Sequence, residues 1–207
     1  MWIAWNYQDT DLKWPLSFEQ KVELFYQQAL GWQLHIAELV ANGGTCFGEQ
    51  GSQNGRVVSP IRHSGFAVLQ ICFSYFETIG RYTGQGGGSA DAFRKGVLEV
   101  FPSLSAANPD LVTAFVEVLY GQGRCGLYHN TRTARVGLGQ PKSGPIAYDP
   151  RNRRVTVSPE RLPGALKAHL ERFRGELLDK KNSAVRAAFE VQFDSDDTAK
   201  TTDKLAK

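Results

Sequence analysis

Phe18, Val22, Phe25, Ala29, Trp32, Ile36 and Leu39 recur at alternating steps of four and three, the spacing that lines one face of an α-helix. Ser17 precedes them with Gln20 three positions on, a capping box, and Asn42-Gly43-Gly44 supplies a stop. The pattern predicts a helix over 17–41 with that stripe in the core. A Gly/Ser/Gln/Asn-rich connection follows over 43–58. Ser59-Pro60 reads as an N-cap with Pro at the first helical position. The helix expected from there to Thr83 carries Ile61, Phe66, Val68, Leu69, Ile71, Cys72, Phe73, Phe76 and Ile79 on nearly every side, so it belongs in the middle of a bundle. Ser89 opens a shorter helix with Phe93, Val97 and Phe101 at four-residue steps, closed by Pro102. Asn108-Pro109 starts another, with Leu111, Phe115, Val118 and Leu119 buried and an end near Tyr120-Gly121.

Beyond Gly121 the helical period lapses. Ile146-Ala147-Tyr148 and Val155-Thr156-Val157 flank Asp149-Pro150-Arg151-Asn152, which predicts a β-hairpin at about 144–158. A last long helix starts at Ser158-Pro159 with Leu162, Leu166, His169, Leu170, Phe173 and Leu177 on one side. The predicted fold is mainly α: an up-down helical bundle with a β-hairpin inserted before its last long helix. Residues 1–16 form an N-terminal extension, 17–180 the bundle, 181–193 a short C-terminal helix and 194–207 a disordered tail with almost no apolar residues.

Composition narrows the class without naming an activity. Of 207 residues 42% are hydrophobic and 22% charged, as in a folded domain. Phe66 to Phe76 is the longest apolar stretch. Gln70 and Ser74 interrupt it, and it is too short for a membrane span. The acids near the start argue against a secretory leader. Cys46, Cys72 and Cys125 make no pairing framework and suit a reducing cytoplasm.

Gly121-Gln122-Gly123-Arg124-Cys125-Gly126 spells G-x-G-x-x-G, but a helix rather than a strand is expected before it and no acid lies between 118 and 148, so it is not a dinucleotide site. Lys142-Ser143 lacks the P-loop glycine, which is Pro141. No Cys/His set has zinc spacing, so neither a metal nor a cofactor is expected. His35 falls among polar neighbours, His63 in the first turn of the second helix, and His169 in the core with a backbone partner. Glu77 is a carboxylate inside the most apolar helix. It needs either a cationic partner in a structural salt bridge or a polar cleft, where it would line a site beside an arginine.

The remaining signal is Arg124-Cys125-Gly126-Leu127-Tyr128-His129. An Arg and a His separated by four to six residues arise about once by chance in such a chain, and Arg56 with His63 fits as well. Context singles out Arg124, at the mouth of a helix and followed by Asn130, Arg132 and Arg135. Here the chain resembles the HEPN superfamily over roughly residues 60–180. The resemblance implies a helical bundle that dimerises, bringing two Arg/His motifs into one cleft. It also implies either a metal-independent endoribonuclease of a toxin or antiphage type or a non-catalytic module that binds RNA or protein. Arg124 and His129 would be the motif residues. The family often has Asn after the arginine, where this chain has Cys125. Tyr128 and Asn130 are positioned to hold a base or phosphate, Tyr128 alternatively to pack. A structural helical protein with a coincidental motif is the third reading.

The net charge of +3 conceals an asymmetry. Residues 1–120 hold 7 basic and 11 acidic groups, residues 121–181 hold 13 and 5, and residues 182–207 hold 4 and 5. An RNA groove would use the basic stretch that begins at the motif; the alternative is a solvated hairpin with ordinary surface arginines.

Overall fold

The computed structural model describes residues 2–5, 7–46, 55–84, 87–130 and 133–205. The chain opens with β1 (Trp2–Ala4) and β2 (Tyr7–Gln8), an antiparallel pair. Then come α1 (Phe18–Ala29), a π-helical turn (Leu30–Leu34) and α2 (His35–Asn42). β3 (Gly44–Thr45) pairs antiparallel with β4 (Val57–Val58). α3 (Gly65–Thr83), α4 (Ser89–Val100) and α5 (Pro109–Val118) follow. A second π turn (Leu119–Cys125) joins α5 to α6 (Gly126–Asn130). β5 (Val136–Leu138), β6 (Ile146–Asp149) and β7 (Arg154–Val157) precede α7 (Leu162–Leu178) and α8 (Ser183–Leu205). The protein is mainly helical with small sheets.

α3 sits in the middle, against α2, α4, α7, α8 and both π turns. Val68, Leu69, Cys72, Phe73, Tyr75, Phe76 and Ile79 are fully buried on it, and each large apolar side chain among them stabilises the fold by about 2 kcal/mol. α7 buries all six positions of its predicted stripe. His169 among them bonds to a side chain rather than to backbone: its Nδ1 lies 2.9 Å from the Tyr75 hydroxyl. Ser17 and Gln20 make the predicted capping box, and Asn108 Oδ1 accepts from the backbone N–H of Asp110 and Leu111.

Several boundaries move. The predicted first stripe holds as far as Ala29, but Trp32 and Ile36 are exposed while Leu34, His35 and Ala37 are buried. The π turn at 30–34 adds a residue to one turn, which rotates everything after it about the axis. Gly31 in that turn lies under the Trp5 ring, which occupies the space a Cβ would need. With Ala4 fully buried and Gln28 Nε2 donating to the Ile3 carbonyl (2.7 Å), the first residues are docked on the bundle rather than extending from it.

The second helix starts at Gly65, not at Pro60, because the β3–β4 ladder and the Ile61 N–H to Val40 carbonyl bond (2.9 Å) hold 57–61 extended along the end of α2. His63 therefore lies before α3, at φ +61°. Helix continues past Gly121 through the second π turn to Asn130. The expected hairpin forms with Ile146 opposite Val157 and Asp149 opposite Arg154, and β5 joins it parallel to β7, making the order β5-β7-β6.

α8 runs to Leu205 rather than ending at Phe193. Part of its anchoring is polar and leaves no apolar period. The buried Lys21 Nζ donates to Glu190 Oε1 (2.8 Å) and Asp194 Oδ2 (2.9 Å), and the Tyr82 hydroxyl donates to Asp196 Oδ2 (3.0 Å).

Candidate functional site

The Arg124–His129 segment is held against α3. Gly123 lets the π turn approach closely, since a Cβ there would stand 2.7 Å from Cε2 of Phe73. The glycines of G-x-G-x-x-G thus sit in a continuous run of helical turns, one of them packed on an aromatic ring. The Gln70 side-chain amide donates to the Leu127 carbonyl at 3.2 Å, tying α6 to the same helix.

Arg124 points inward to a carboxylate that the sequence had marked. Its Nη2 donates to Glu77 Oε2 at 2.9 Å, and Arg81 Nη2 donates to the other oxygen, Oε1, at 2.8 Å. Arg81 also reaches Ser89 Oγ at 3.3 Å. The Glu77 side chain is 14% exposed and that of Arg124 23%. Burial on its own would raise the Glu77 pKa. Hydrogen bonds from Arg81 and Ser89, together with the charges of Arg124 and Arg81, outweigh it and hold the carboxyl below its ordinary value of 4.5. Glu77 thus has the cationic partners that a carboxylate inside an apolar helix needs. Cys125 is half-buried, and the Tyr120 hydroxyl has its pKa raised first by burial and then by the nearby Cys125 thiol.

His129 is exposed on α6. Four residues separate it from Arg124, which belongs to the π turn that precedes α6. Arg135 is exposed just before β5. Arg132 lies outside the described residues, and for Tyr128 and Asn130 only the backbone of α6 is described. Arg81 and Tyr120 were missed by sequence reasoning. The i, i+4 spacing of Glu77 and Arg81 was a signal for the first; Tyr120 left none. Among the described residues no group of three or more His, Cys, Asp and Glu is placed to hold a metal ion, and no helix is long and apolar enough to cross a membrane.

Fold and site together define a mainly helical protein with an arginine locked to a buried-helix carboxylate and an exposed histidine five positions on. No family model matches the chain, and neither a curated protein nor a solved structure matches it.

Proposed function

We propose that this protein is a HEPN-like, metal-independent RNA endonuclease that works as a homodimer, with Arg124 and His129 as its catalytic residues. One observation carries the reading. Glu77 keeps a permanent cation fixed on the same helical segment as a solvent-accessible histidine, at the start of the basic part of the chain. Histidine is the side chain suited to moving a proton near neutral pH. His129 takes the proton of the RNA 2′-hydroxyl, the 2′-oxygen bonds to phosphorus, and the bond to the 5′-oxygen breaks. The imidazolium then returns its proton to that leaving oxygen, and the product is a 2′,3′-cyclic phosphate. Arg124 offers a guanidinium to the charge that builds on the phosphoryl oxygens. The reading takes the two motifs of a dimer into one cleft, as the resemblance implies.

A second reading, a non-catalytic module that binds RNA or a protein, is favoured by the pairing itself, since Glu77 already neutralises much of the Arg124 charge. Incubating RNA with the wild-type protein in excess EDTA separates the two. Cleavage leaving 2′,3′-cyclic phosphate ends is the expected result. Retained RNA binding with no cleavage would replace the first reading by the second.

A further inference from the structure

The three-stranded sheet has one face against the bundle and one open. Val136, Val155 and Val157 are buried, with Ile146 and Tyr148 packed against the same core. By alternation along each strand, Arg135 and Gly137, Arg154 and Thr156, and Ala147 and Asp149 face outward. The register makes rows of them. Gly137, Thr156 and Ala147 stand side by side across β5, β7 and β6, and a Cβ on Gly137 would meet nothing within 4 Å. In the next row Arg135 and Arg154 are neighbours, their strands joined by the Val155 N–H to Arg135 carbonyl bond of 2.8 Å.

Like charges side by side on a sheet repel, and among the described residues no carboxylate forms an ion pair with Arg135 or Arg154. Asp149, opposite Arg154, directs its oxygens to its own turn: Oδ1 to the N–H of Arg151 (3.0 Å) and Asn152 (3.4 Å), Oδ2 to Asn152 Nδ2 (2.7 Å). Arg153, next in the chain to Arg154, is paired instead with Glu117 of α5 at 3.7 Å. The floor carries no ring or long apolar side chain. Leu138, the exposed apolar residue of β5, turns the other way, onto Gly65.

We infer that this open face, with Arg135 and Arg154 at one end of a Gly137–Thr156–Ala147 floor, binds single-stranded RNA by its phosphates. The inference rests on the RNA reading above and deepens it. Two neighbouring arginines with no carboxylate in an ion pair among the described residues are complementary to a polyanion. A floor without aromatics gives bases nothing to stack on, so recognition is of the backbone and tolerant of sequence. A protein partner would need a desolvated anchor that the floor lacks. Arg135 follows His129 by six positions, which bounds their separation at about 20 Å of extended chain.

The test is fluorescence anisotropy with a labelled 2′-O-methyl single strand, which has no free 2′-hydroxyl and stays intact. R135A/R154A is expected to bind roughly tenfold more weakly than wild type, with the slope of log affinity against log salt smaller by about 1.4. Gly137→Leu, which adds bulk to the floor and leaves charge unchanged, should also weaken binding, whereas Arg94→Ala on α4 should not. Unchanged affinity and salt slope in R135A/R154A would overturn the inference. So would displacement of the strand by polyglutamate at equal charge, which would assign the face to an acidic protein segment. Failure of the nuclease reading looks different: wild type would leave RNA uncut in EDTA while R135A/R154A still lost binding.

Discussion

Gly96→Ala will lower the melting temperature of this protein by about 6 °C, and Gly80→Ala will do the same. α3 and α4 touch backbone to backbone at these two positions. A Cβ on Gly80 would overlap the carbonyl of Ala92, and a Cβ on Gly96 would overlap the carbonyl of Phe76. No rotamer relieves a clash with backbone, so the helices must separate, loosening Phe73, Phe76, Phe93 and Val97, all fully buried between them. Overpacking of this kind costs about 3 kcal/mol or more. Alanine's better helix propensity returns only about 1 kcal/mol, and each kilocalorie moves the midpoint by roughly 2–4 °C in a chain of this size. Gly175→Ala on α7 is the matched control. Its Cβ would meet nothing within 4 Å, so the same substitution should raise the midpoint slightly. Thermal unfolding followed by circular dichroism reads all three; a Gly96→Ala protein melting with wild type would refute the close α3–α4 contact.

Glu77→Gln is expected to destabilise by about 2 kcal/mol at neutral pH. The substitution keeps the shape and removes the charge that two guanidiniums share. Breaking a fully buried pair costs about 3–5 kcal/mol, and the partial exposure of Arg81 and Arg124 brings the figure down. The effect must depend on pH with a definite sign. The Glu77 pKa is depressed in the folded state, so its contribution is fully present above the unfolded value near 4.5 and fades as pH falls through the lower folded value. Denaturant titrations of wild type and E77Q should therefore differ most near neutrality and converge in acid. A difference independent of pH would mean that Glu77 acts through packing alone.

Helix periodicity made much of the fold legible. The stripe of α7 and the burial of α3 follow from apolar spacing, and the caps at Ser17 and Asn108 from local hydrogen-bond chemistry. What spacing could not show was set by contacts distant in sequence. Trp5 on Gly31 and Phe73 on Gly123 lie at the two π turns, and each turn shifts the phase that a 3.6-residue period assumes. β5 is too short and too glycine-rich to read as a strand until β7 lies beside it. The far end of α8 is held in part by Lys21 and Tyr82, which no periodicity in the tail announces. In the candidate site, Glu77 was legible because a carboxylate inside an apolar helix demands a partner. Its bond to Arg124 joins residues 47 positions apart, a distance over which local pattern carries no information.

The functional claim stands or falls most directly on RNA cleavage by His129→Ala beside wild type in excess EDTA. His129 is exposed and its removal leaves the core untouched, so the variant should fold and melt as wild type does. Loss of its proton transfer is expected to slow cleavage by about 100-fold or more, with the remaining product still ending in 2′,3′-cyclic phosphate. Equal rates for the two proteins would contradict the claim and remove His129 from the chemistry.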